Sequence, residues 1–284
     1  MNRLPLAKRV QVLSCLVEGN SIRGTCRMVG VDKKTILRLL EDVGDACAAY
    51  HYETVRGLVC VRVQCDEIWS FCHAKERNLK PQYRHHADYG DLWTWIGMDA
   101  DTKLIVSWLL GKRTQRDAYR FMRDLASRIK SYVQISTDGL GIYKESVKRS
   151  FNHRADYGTE VKVFGIEDAQ EPERKYSPLV VKEMKRTPIL GAPDPTHIST
   201  SYVERQNLNM RMSMRRFTRL TNAFSKKAQN LHRSLAIYVM HYNYVRRHQT
   251  LKTTPALAHG ITDRQWTLAD LANLPDFMRE GIAA

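Results

Sequence analysis

The order of apolar patterns between residues 58 and 151 is the feature that most limits the fold. The stretch LVCVRVQCDEIWSF from Leu58 alternates apolar with polar residues and is rich in valine, which predicts a strand ending near Asp66. Residues 93–111 then predict two strands joined by a tight turn at residues 99–103. A chain with this pattern needs a sheet as its framework.

A helix, a strand and a second helix follow these three strands. Residues 114–130 have helical periodicity, and their apolar face is formed by Ala118, Phe121, Met122, Leu125 and Ile129. The stretch YVQIST predicts a strand that runs into Asp138 and Gly139, and IYKESVKRSF predicts another helix. The order strand, strand, strand, helix, strand, helix predicts an α/β fold in which helices flank a mixed sheet.

Three helices are predicted before the sheet, and the third, KKTILRLLEDVG, directs Ile36 and Leu39 inward and ends at Gly44. Ser21 and Asp32 are placed to cap the second and the third, and Gly30 lies in the turn between them, which is typical of a helix-turn-helix. We therefore predict a helix-turn-helix DNA-binding domain over residues 1–50 and a connector over residues 51–58. The outward residues that could contact a duplex are Lys33, Lys34, Thr35 and Arg38. A three-helix packing unit with a solvated basic face is the alternative.

The composition of the chain after residue 58 divides it into two regions. Residues 59–222 are assigned to a core domain, with an irregular insertion over residues 153–198 that contains prolines, charges and one further strand at EVKVFG. A helix is expected from Ser199. Residues 223–284 are predicted to form a basic helical region that packs on the core.

The net charge of +15 indicates a polyanionic partner, and nucleic acid is the first choice ahead of an anionic membrane surface. No apolar run approaches the length of a membrane span, and the N-terminus lacks the features of a signal peptide, so we expect a protein of the cytoplasm or the chromosome. The six cysteines lack zinc-knuckle spacing and are expected to be reduced thiols. Cys72 beside His73 could ligate a metal, but no second pair lies nearby.

Two predicted strands end in aspartates, Asp66 after VRVQC and Asp138 after VQIST. If these strands are neighbours, both carboxylates emerge at the same edge of the sheet. Paired oxygen ligands on rigid elements suit Mg²⁺, which prefers hard ligands in octahedral geometry. Either aspartate alone could be a turn residue, above all Asp138, because Asp-Gly is a common turn dipeptide.

Glu204 is the single acid among eleven lysines and arginines between Ser199 and Lys252. A carboxylate repels phosphate, and a divalent cation between the two would reverse that repulsion. An ion pair within the helix or with a neighbouring helix is the alternative, but position 208, one turn on, is leucine. Asn207 and Arg211 share the face of Glu204, as expected if a DNA backbone lies along this helix.

These residues resemble those of the transposase of bacterial insertion sequence 1 and its relatives, which belong to the DDE recombinases. The resemblance rests on QCDEIWSFC at 64–72, GDLWTWIGMDADTKLI at 90–105, STDGLGIY at 136–143, STSYVERQNLNMRMSMRRFTRLTNAFSKK at 199–227 and YNYVRRHQTLKTTPA at 242–256. The founding member of that family has a cysteine zinc finger before its helix-turn-helix. This sequence has none, and so differs in how terminal DNA would be recognised.

The resemblance implies a ribonuclease H-like core with Asp66, Asp138 and Glu204 as catalytic, metal-binding residues. It also implies that Arg211 contacts DNA, and Arg215 and Arg216 are expected to do so beside it. The expected cofactor is a pair of Mg²⁺ ions, for which Mn²⁺ can substitute. The expected partners are the inverted-repeat ends of an insertion sequence and target DNA, bound by a homodimer or larger assembly, with no membrane involved.

Two other functions are compatible with parts of the pattern. One is a transposase-derived DNA-binding regulator that no longer cleaves DNA, which the presence of all three acids disfavours. The other is a metal-dependent nuclease acting on RNA or RNA–DNA hybrids. The predicted N-terminal helix-turn-helix disfavours the second, because the deep major groove of A-form helices excludes such helices.

Overall fold

The computed structural model describes residues 4–165, 180–218 and 222–282. The strands are β1 (Arg62–Cys72), β2 (Gly90–Asp99), β3 (Ile105–Gly111), β4 (Val133–Thr137), β5 (Ala155–Gly165) and β6 (Val180–Leu190). They form one sheet in the order β3-β2-β1-β4-β5-β6. Strands β1, β2 and β3 are antiparallel, β4 and β5 run parallel to β1, and β6 is antiparallel to β5. The predicted α/β fold with a mixed sheet is confirmed.

The helices are α1 (Leu6–Val17), α2 (Ile22–Val29), α3 (Lys33–Thr54), α4 (Gln115–Arg128), α5 (Ile142–Phe151), α6 (Ser201–Ser213), α7 (Ala228–Met240), α8 (Pro255–His259) and α9 (Leu268–Ile282). The first seven helices overlap the segments whose apolar periodicity predicts helices, whereas α8 and α9 were expected only as part of a helical C-terminal region. Ser21 and Asp32 are the helix caps that the sequence predicts. The Ser21 hydroxyl accepts from the N–H of Gly24 at 3.0 Å, and Asp32 accepts from the N–H of Lys34 at 2.8 Å.

Strand β1 continues six residues beyond Asp66, where the sequence predicts its end. Beyond Gln64 the strand loses its partner β4 but keeps β2, with which it pairs as far as Cys72 opposite Gly90. Because one neighbour is enough to hold a strand, Asp66 lies in the middle of β1 rather than at its end. Asp66 is nevertheless close to the point where the parallel pairing stops.

The expected irregular insertion at residues 153–198 contains two strands of the sheet, β5 and β6. The predicted strand at residues 160–165 is the second half of β5, which begins at Ala155. Strand β6 pairs with β5 from Leu190 to Val180. The prolines and charges of this segment hid the strands because β6 lies at the edge of the sheet, where Pro188 and exposed polar side chains are tolerated. Residues 166–179 are outside the described ranges.

Helix α3 runs through Gly44, where the sequence predicts its end, and continues to Thr54 inside the expected connector. A Cβ atom at position 44 would lie 2.6 Å from Cβ of Arg233 and 2.9 Å from its carbonyl oxygen. Gly44 is therefore the place where α3 and α7 cross closely, and it does not end the helix.

The two faces of β1 are buried by different helices. Val63 and Cys65 belong to an apolar cluster that includes residues of α4 and α5. Ile68 and Cys72 belong to a second cluster with residues of α6 and α7. Because side chains alternate along a strand, Asp66 shares the face of Ile68 and is directed towards α6.

The N-terminal helices pack on the C-terminal ones. Helix α1 packs against α9, and α3 packs against both α7 and α9. These helices share an apolar cluster with one face of the sheet. None of the helices within the described ranges has the length and apolar character that a bilayer span requires.

We expect Gly44→Ala to lower the free energy of unfolding by about 1–3 kcal/mol, because the added methyl group overpacks the contact with α7. This loss outweighs the gain of about 1 kcal/mol that alanine brings to a helix interior. Urea denaturation followed by circular dichroism measures the change. Gly141→Ala is the matched control, since a Cβ atom there meets nothing within 4 Å. A Gly44→Ala protein as stable as the wild type would contradict the close crossing.

Candidate active site

Helix α6 is fixed to β1 through Gln64. The Oε1 atom of this buried residue accepts hydrogen bonds from the N–H groups of Tyr202 at 2.8 Å and Val203 at 3.2 Å. The first N–H groups of a helix lack partners within the helix, and the side chain of Thr200 at the N-cap accepts none of them. Gln64 therefore holds the start of α6 over the face of β1 that carries Asp66.

Asp66 is held by hydrogen bonds to both of its carboxylate oxygens. Its Oδ1 accepts from the N–H of Glu67 at 2.8 Å, and its Oδ2 accepts from Nδ2 of Asn207 on α6 at 2.7 Å. In the second bond, as in the bonds of Gln64, the donor lies on α6 and the acceptor lies on β1. The carboxylate orientation is thus fixed by two elements at once.

Asp138 directly follows β4 and lies beside Asp66. Strands β1 and β4 are parallel, with Gln64 opposite Ser136. The pairing ends there, and Asp138 lies one residue past the end of β4, close enough for its charge to act on Asp66. Asp138 also has the turn role that its sequence allows, because its Oδ1 accepts from the N–H of Leu140 at 3.0 Å.

Glu204 lies one helical turn before Asn207, and its carboxylate has two partners. Its Oε1 accepts from the hydroxyl of Thr200 at 2.8 Å, and its Oε2 forms an ion pair with the ammonium of Lys162 on β5. Glu204 therefore has a charge partner, although the sequence favoured a metal ligand over an ion pair at this position. The expected alternative was an ion pair with a helix, and the partner lies on a strand within the segment that was expected to be irregular.

The three carboxylates converge without meeting at one point. The charges of Asp138 and Glu204 both act on Asp66, but the oxygens of the three residues are not all within 4.8 Å of one another. One ion could not bind all three without some movement. Two ions about 4 Å apart, each about 2.1 Å from its ligands, allow the outer carboxylates to be up to about 8 Å apart.

One cluster within the described ranges does meet that distance condition, and it lies elsewhere in the fold. In that cluster three side chains of metal-binding type have their ligand atoms all within 4.8 Å of one another; they are Cys60, Asp99 and His259. Cys72 and His73, which the sequence disfavours as metal ligands, do not belong to it.

The pKa of Asp66 is raised to about 7. Burial is the largest cause, followed by the negative charge of Glu67, and Asp138 and Glu204 raise the pKa further. The N–H of Glu67 acts in the opposite direction because it stabilises the ionised form. The raised pKa favours the protonated form of Asp66 compared with an exposed aspartate, and a bound divalent cation would displace that proton.

Asn207 was expected to contact DNA, but it is only 7% exposed and its amide group donates to Asp66. Its side-chain oxygen Oδ1 has no hydrogen-bond partner among the described residues. Buried polar atoms rarely remain unpaired in folded proteins. We therefore expect a hydrogen-bond donor or a cation beside this oxygen. Together with the carboxylates of Asp66 and Asp138, this oxygen makes a donor set that fits a hard divalent cation.

Glu67 lies on the opposite face of β1, as the strand alternation predicts, but it has partners that the sequence did not reveal. It is 8% exposed. Its Oε2 accepts from the hydroxyl of Tyr143 at 2.9 Å, and its Oε1 accepts from Nε of Arg113 at 2.7 Å. Burial is the main reason that its pKa is raised. An acid within an apolar strand, next to the candidate ligand, was the available signal that Glu67 is buried with partners of its own.

The expected DNA-contacting residues of α3 lie near its first turns. The side chains that are exposed or half-exposed there are Lys33, Lys34, Thr35 and Arg38. Ile36 and Leu39, which were expected to face inward, are buried. The amphipathic pattern of this helix is therefore as predicted, with a basic face towards solvent.

The expected DNA-contacting arginines after Glu204 differ in their surroundings. Arg215 is exposed, whereas Arg211 on α6 is half-buried. Nε of Arg216 donates to the hydroxyl of Ser225 at 2.9 Å, and burial lowers the pKa of Arg216 to about 10, so it remains charged at neutral pH. Arg215 is thus the most accessible of the three.

We expect the stabilisation of the protein by Mg²⁺ to increase as pH rises through about 7 and to depend on Asp66. The folded protein holds a proton on Asp66 that the unfolded chain has lost above about pH 4, so without the ion this group stabilises the fold at low pH and loses that effect as pH rises through 7. Mg²⁺ competes with the proton and binds better when Asp66 is ionised.

Thermal unfolding with and without about 10 mM Mg²⁺, at pH values from about 5.5 to 8.5, measures this linkage as a change in Tm. Asp66→Asn should abolish the pH-dependent part of the Mg²⁺ effect, whereas Asp88→Asn, at an exposed loop position, should retain it. An Mg²⁺ effect that is the same in Asp66→Asn as in the wild type would contradict this assignment.

The residues and their geometry are the basis for inferring the function, because comparison with known proteins does not identify a family. No protein-family model matches the sequence. A search of curated proteins finds no match either. The function is therefore inferred below from the carboxylates, their supporting hydrogen bonds and the distribution of basic side chains.

Proposed function

We propose that this chain is a DDE transposase that binds the inverted-repeat ends of an insertion sequence and catalyses metal-dependent DNA strand cleavage and strand transfer. The observation that carries the proposal is that Asp66 on β1, Asp138 directly after the parallel neighbour β4, and Glu204 on the helix hydrogen-bonded to β1 lie close enough for the charges of Asp138 and Glu204 to act on Asp66. These acids come from distant parts of the chain. Structural stability alone does not account for three acids on one side of the sheet.

The sheet supports the finer assignment of a ribonuclease H-like core. Three antiparallel strands are followed by two strands parallel to the first, and β1 lies in the middle with its acid beside the end of β4. A catalytic group on a central strand is held more rigidly than one on a loop, which suits a reaction that depends on ion and phosphate positions.

The side chains have distinct roles in this proposal. Asp66, whose two oxygens are fixed by Glu67 and Asn207, would bind both ions, and Asp138 and Glu204 would each bind one. Bound Mg²⁺ supplies activation of the attacking oxygen and stabilisation of the leaving oxygen. Water adds to phosphorus as the P–O3′ bond breaks, which leaves a 3′-hydroxyl for a second, equivalent displacement on target DNA. No residue of the chain acts as a nucleophile.

Lys162 has to release Glu204 before that carboxylate can bind an ion. The ion pair is only partly shielded, since 39% of the Glu204 side chain and 23% of the Lys162 side chain are exposed. Partly exposed ion pairs contribute little to stability, so their exchange for an ion and a phosphate costs little free energy. The freed ammonium would then lie next to DNA phosphate.

Two basic surfaces are proposed to bind double-stranded DNA. The exposed lysines and arginine at the start of α3 would act as the recognition helix of a helix-turn-helix, and Arg215, with Arg211 and Arg216 behind it, would lie beside the cleaved strand. Bringing two element ends together requires two active sites, so the proposed active form is a homodimer or a larger assembly on DNA, at the bacterial nucleoid.

A DNA-binding regulator without catalytic activity is the second candidate. The observation in its favour is the ion pair between Glu204 and Lys162, because an acid neutralised by lysine needs no metal ion. Such a protein would keep the basic surface of α3 and bind the same DNA. Cleavage assays separate the two candidates.

We expect the purified full chain to nick plasmid DNA that carries the native sequences on both sides of its coding region, in the presence of Mg²⁺ or Mn²⁺. Asp66→Asn and Glu204→Gln should each reduce the rate by about 100-fold or more, because each removes a metal ligand. Glu145→Gln, which changes an exposed acid paired with Arg149 on α5, is the matched control and should cleave normally. Binding without metal-dependent nicking by the wild type would favour the regulator.

We also expect the basic face of α3 to determine the salt dependence of DNA binding. The test variant replaces Lys33, Lys34 and Arg38 with alanine, and the control variant replaces the exposed basic residues of α5, Lys144, Lys148 and Arg149. Each lost phosphate contact should reduce the slope of log affinity against log salt by about 0.9, so the first variant should lose up to about 2.7. Equal slopes for the two variants, measured by fluorescence anisotropy, would contradict the proposed recognition helix.

A further inference from the structure

The cluster of Cys60, Asp99 and His259 lies away from the candidate active site. Sγ of Cys60 is 3.8 Å from Nε2 of His259, and a carboxylate oxygen of Asp99 lies within 4.8 Å of both. Val63, opposite Asp99 in the sheet, is three residues before Asp66, which is about 10 Å along the strand. The cluster and the candidate active site are therefore separate places in the fold.

Each of the three side chains is positioned by an ordered backbone. The N–H of Cys60 donates to the hydroxyl of Ser131 at 3.0 Å, and the same hydroxyl donates to the carbonyl of Cys60 at 2.8 Å. Asp99 ends β2, and its N–H donates to the carbonyl of Leu104 across the hairpin at 2.9 Å. His259 is the last residue of α8, which Gly260 ends in a left-handed conformation. The cluster thus joins three segments that are far apart in the sequence.

Asp99 provides the observation that points to a ligand. The residue is 2% exposed, and its Oδ2 accepts from the N–H of Thr102 at 3.0 Å, as a turn-forming aspartate does. Its Oδ1 is buried and has no hydrogen-bond partner among the described residues. A buried carboxylate oxygen without a donor loses its hydration and gains nothing in return, unless a cation binds to it.

The charges around Cys60 also favour a cation. The negative charges of Asp99 and Asp101 both act on the buried Cys60 side chain. Without a metal ion, the thiol and the imidazole form only a weak and long contact. A divalent ion would bind the thiolate form and offset the negative charge of the two aspartates.

We propose that Cys60, Asp99 and His259 form a binding site for a divalent transition-metal ion of the Zn²⁺ class. Sulfur, imidazole and carboxylate ligands are the mixture that Zn²⁺ binds, whereas Mg²⁺ requires oxygen. Sulfur and nitrogen ligands at about 2.3 Å and 2.05 Å in a tetrahedral site are about 3.6 Å apart, which is near the separation of Sγ and Nε2.

The proposed ion acts as a cross-link between the sheet and the C-terminal region. It ties Cys60, two residues before β1, to the β2–β3 hairpin and to α8, which follows α7 in the chain. The fourth ligand is water, reached from the half-exposed side of His259. Since the ion binds the assembled segments and not the unfolded chain, its binding stabilises the fold.

Binding of Zn²⁺ and Co²⁺ to the metal-free full chain, with excess Mg²⁺ present to occupy oxygen sites, tests the proposal. We expect about one equivalent of Zn²⁺ to bind and to raise the Tm. Co²⁺ should produce a thiolate-to-metal charge-transfer band in the near ultraviolet, which oxygen ligands at Asp66 cannot produce.

Cys60→Ser should abolish that band, and His259→Gln and Asp99→Asn should each weaken Zn²⁺ binding by about tenfold or more. Cys72→Ser, which changes a buried cysteine outside the cluster, should leave binding intact. Circular dichroism identifies any variant that fails to fold, and His259→Gln, at a half-exposed position, keeps the test informative if Cys60→Ser does not fold. No saturable Zn²⁺ binding by the wild type, or unchanged binding in folded His259→Gln and Cys60→Ser, would overturn the proposal.

Discussion

The attachment of α6 to the central strand β1 is the constraint on which the candidate site depends. Gln64 accepts two N–H groups from the first turn of α6, and Asp66 accepts the amide of Asn207 about one turn later. Helix and strand are therefore joined at two successive residues on one face of β1. This attachment brings Glu204 to the side of the sheet where Asp66 and Asp138 lie, although the three acids are far apart in the sequence.

The negative charge of the site is balanced in three ways. The raised pKa of Asp66 lets it keep its proton to higher pH than an exposed aspartate does. Glu204 pairs with Lys162, and Glu67 on the other face of the strand pairs with Arg113. The proposed enzyme needs ions in place of the proton on Asp66 and of the lysine beside Glu204. The proton competes with an ion at Asp66, whereas the partial exposure of the Lys162 ion pair makes its exchange cost little free energy.

The proposed transition-metal site uses different chemistry at a different place. Its thiol, imidazole and unpaired carboxylate oxygen suit a softer ion than the oxygens around Asp66 do. The two sites also lie at different kinds of position in the fold. Asp66 lies where one strand pairing ends, whereas the Cys60 cluster collects three segments whose backbones are already fixed by hydrogen bonds.

The sequence by itself determined most helices, the first four strands and the candidate acids. Apolar periodicity places α4 and α5 and the hairpin of β2 and β3, and cap residues such as Ser21 and Asp32 mark where helices begin, because these features act over a few neighbouring residues. It did not reveal that α3 continues through Gly44 or that β1 continues past Asp66. Those outcomes depend on Arg233 and on the pairing with β2.

Only the tertiary structure decided which side chains meet. The partners of Glu204 and Asn207, the support of Glu67 by Tyr143 and the grouping of Cys60 with Asp99 and His259 all join residues distant in the sequence. No local pattern encodes such contacts, since they follow from the register of strands and the packing of helices on a sheet. The sequence thus supplied the acids and the helices and strands that carry them, and the packing of α6 on β1 determined their neighbours.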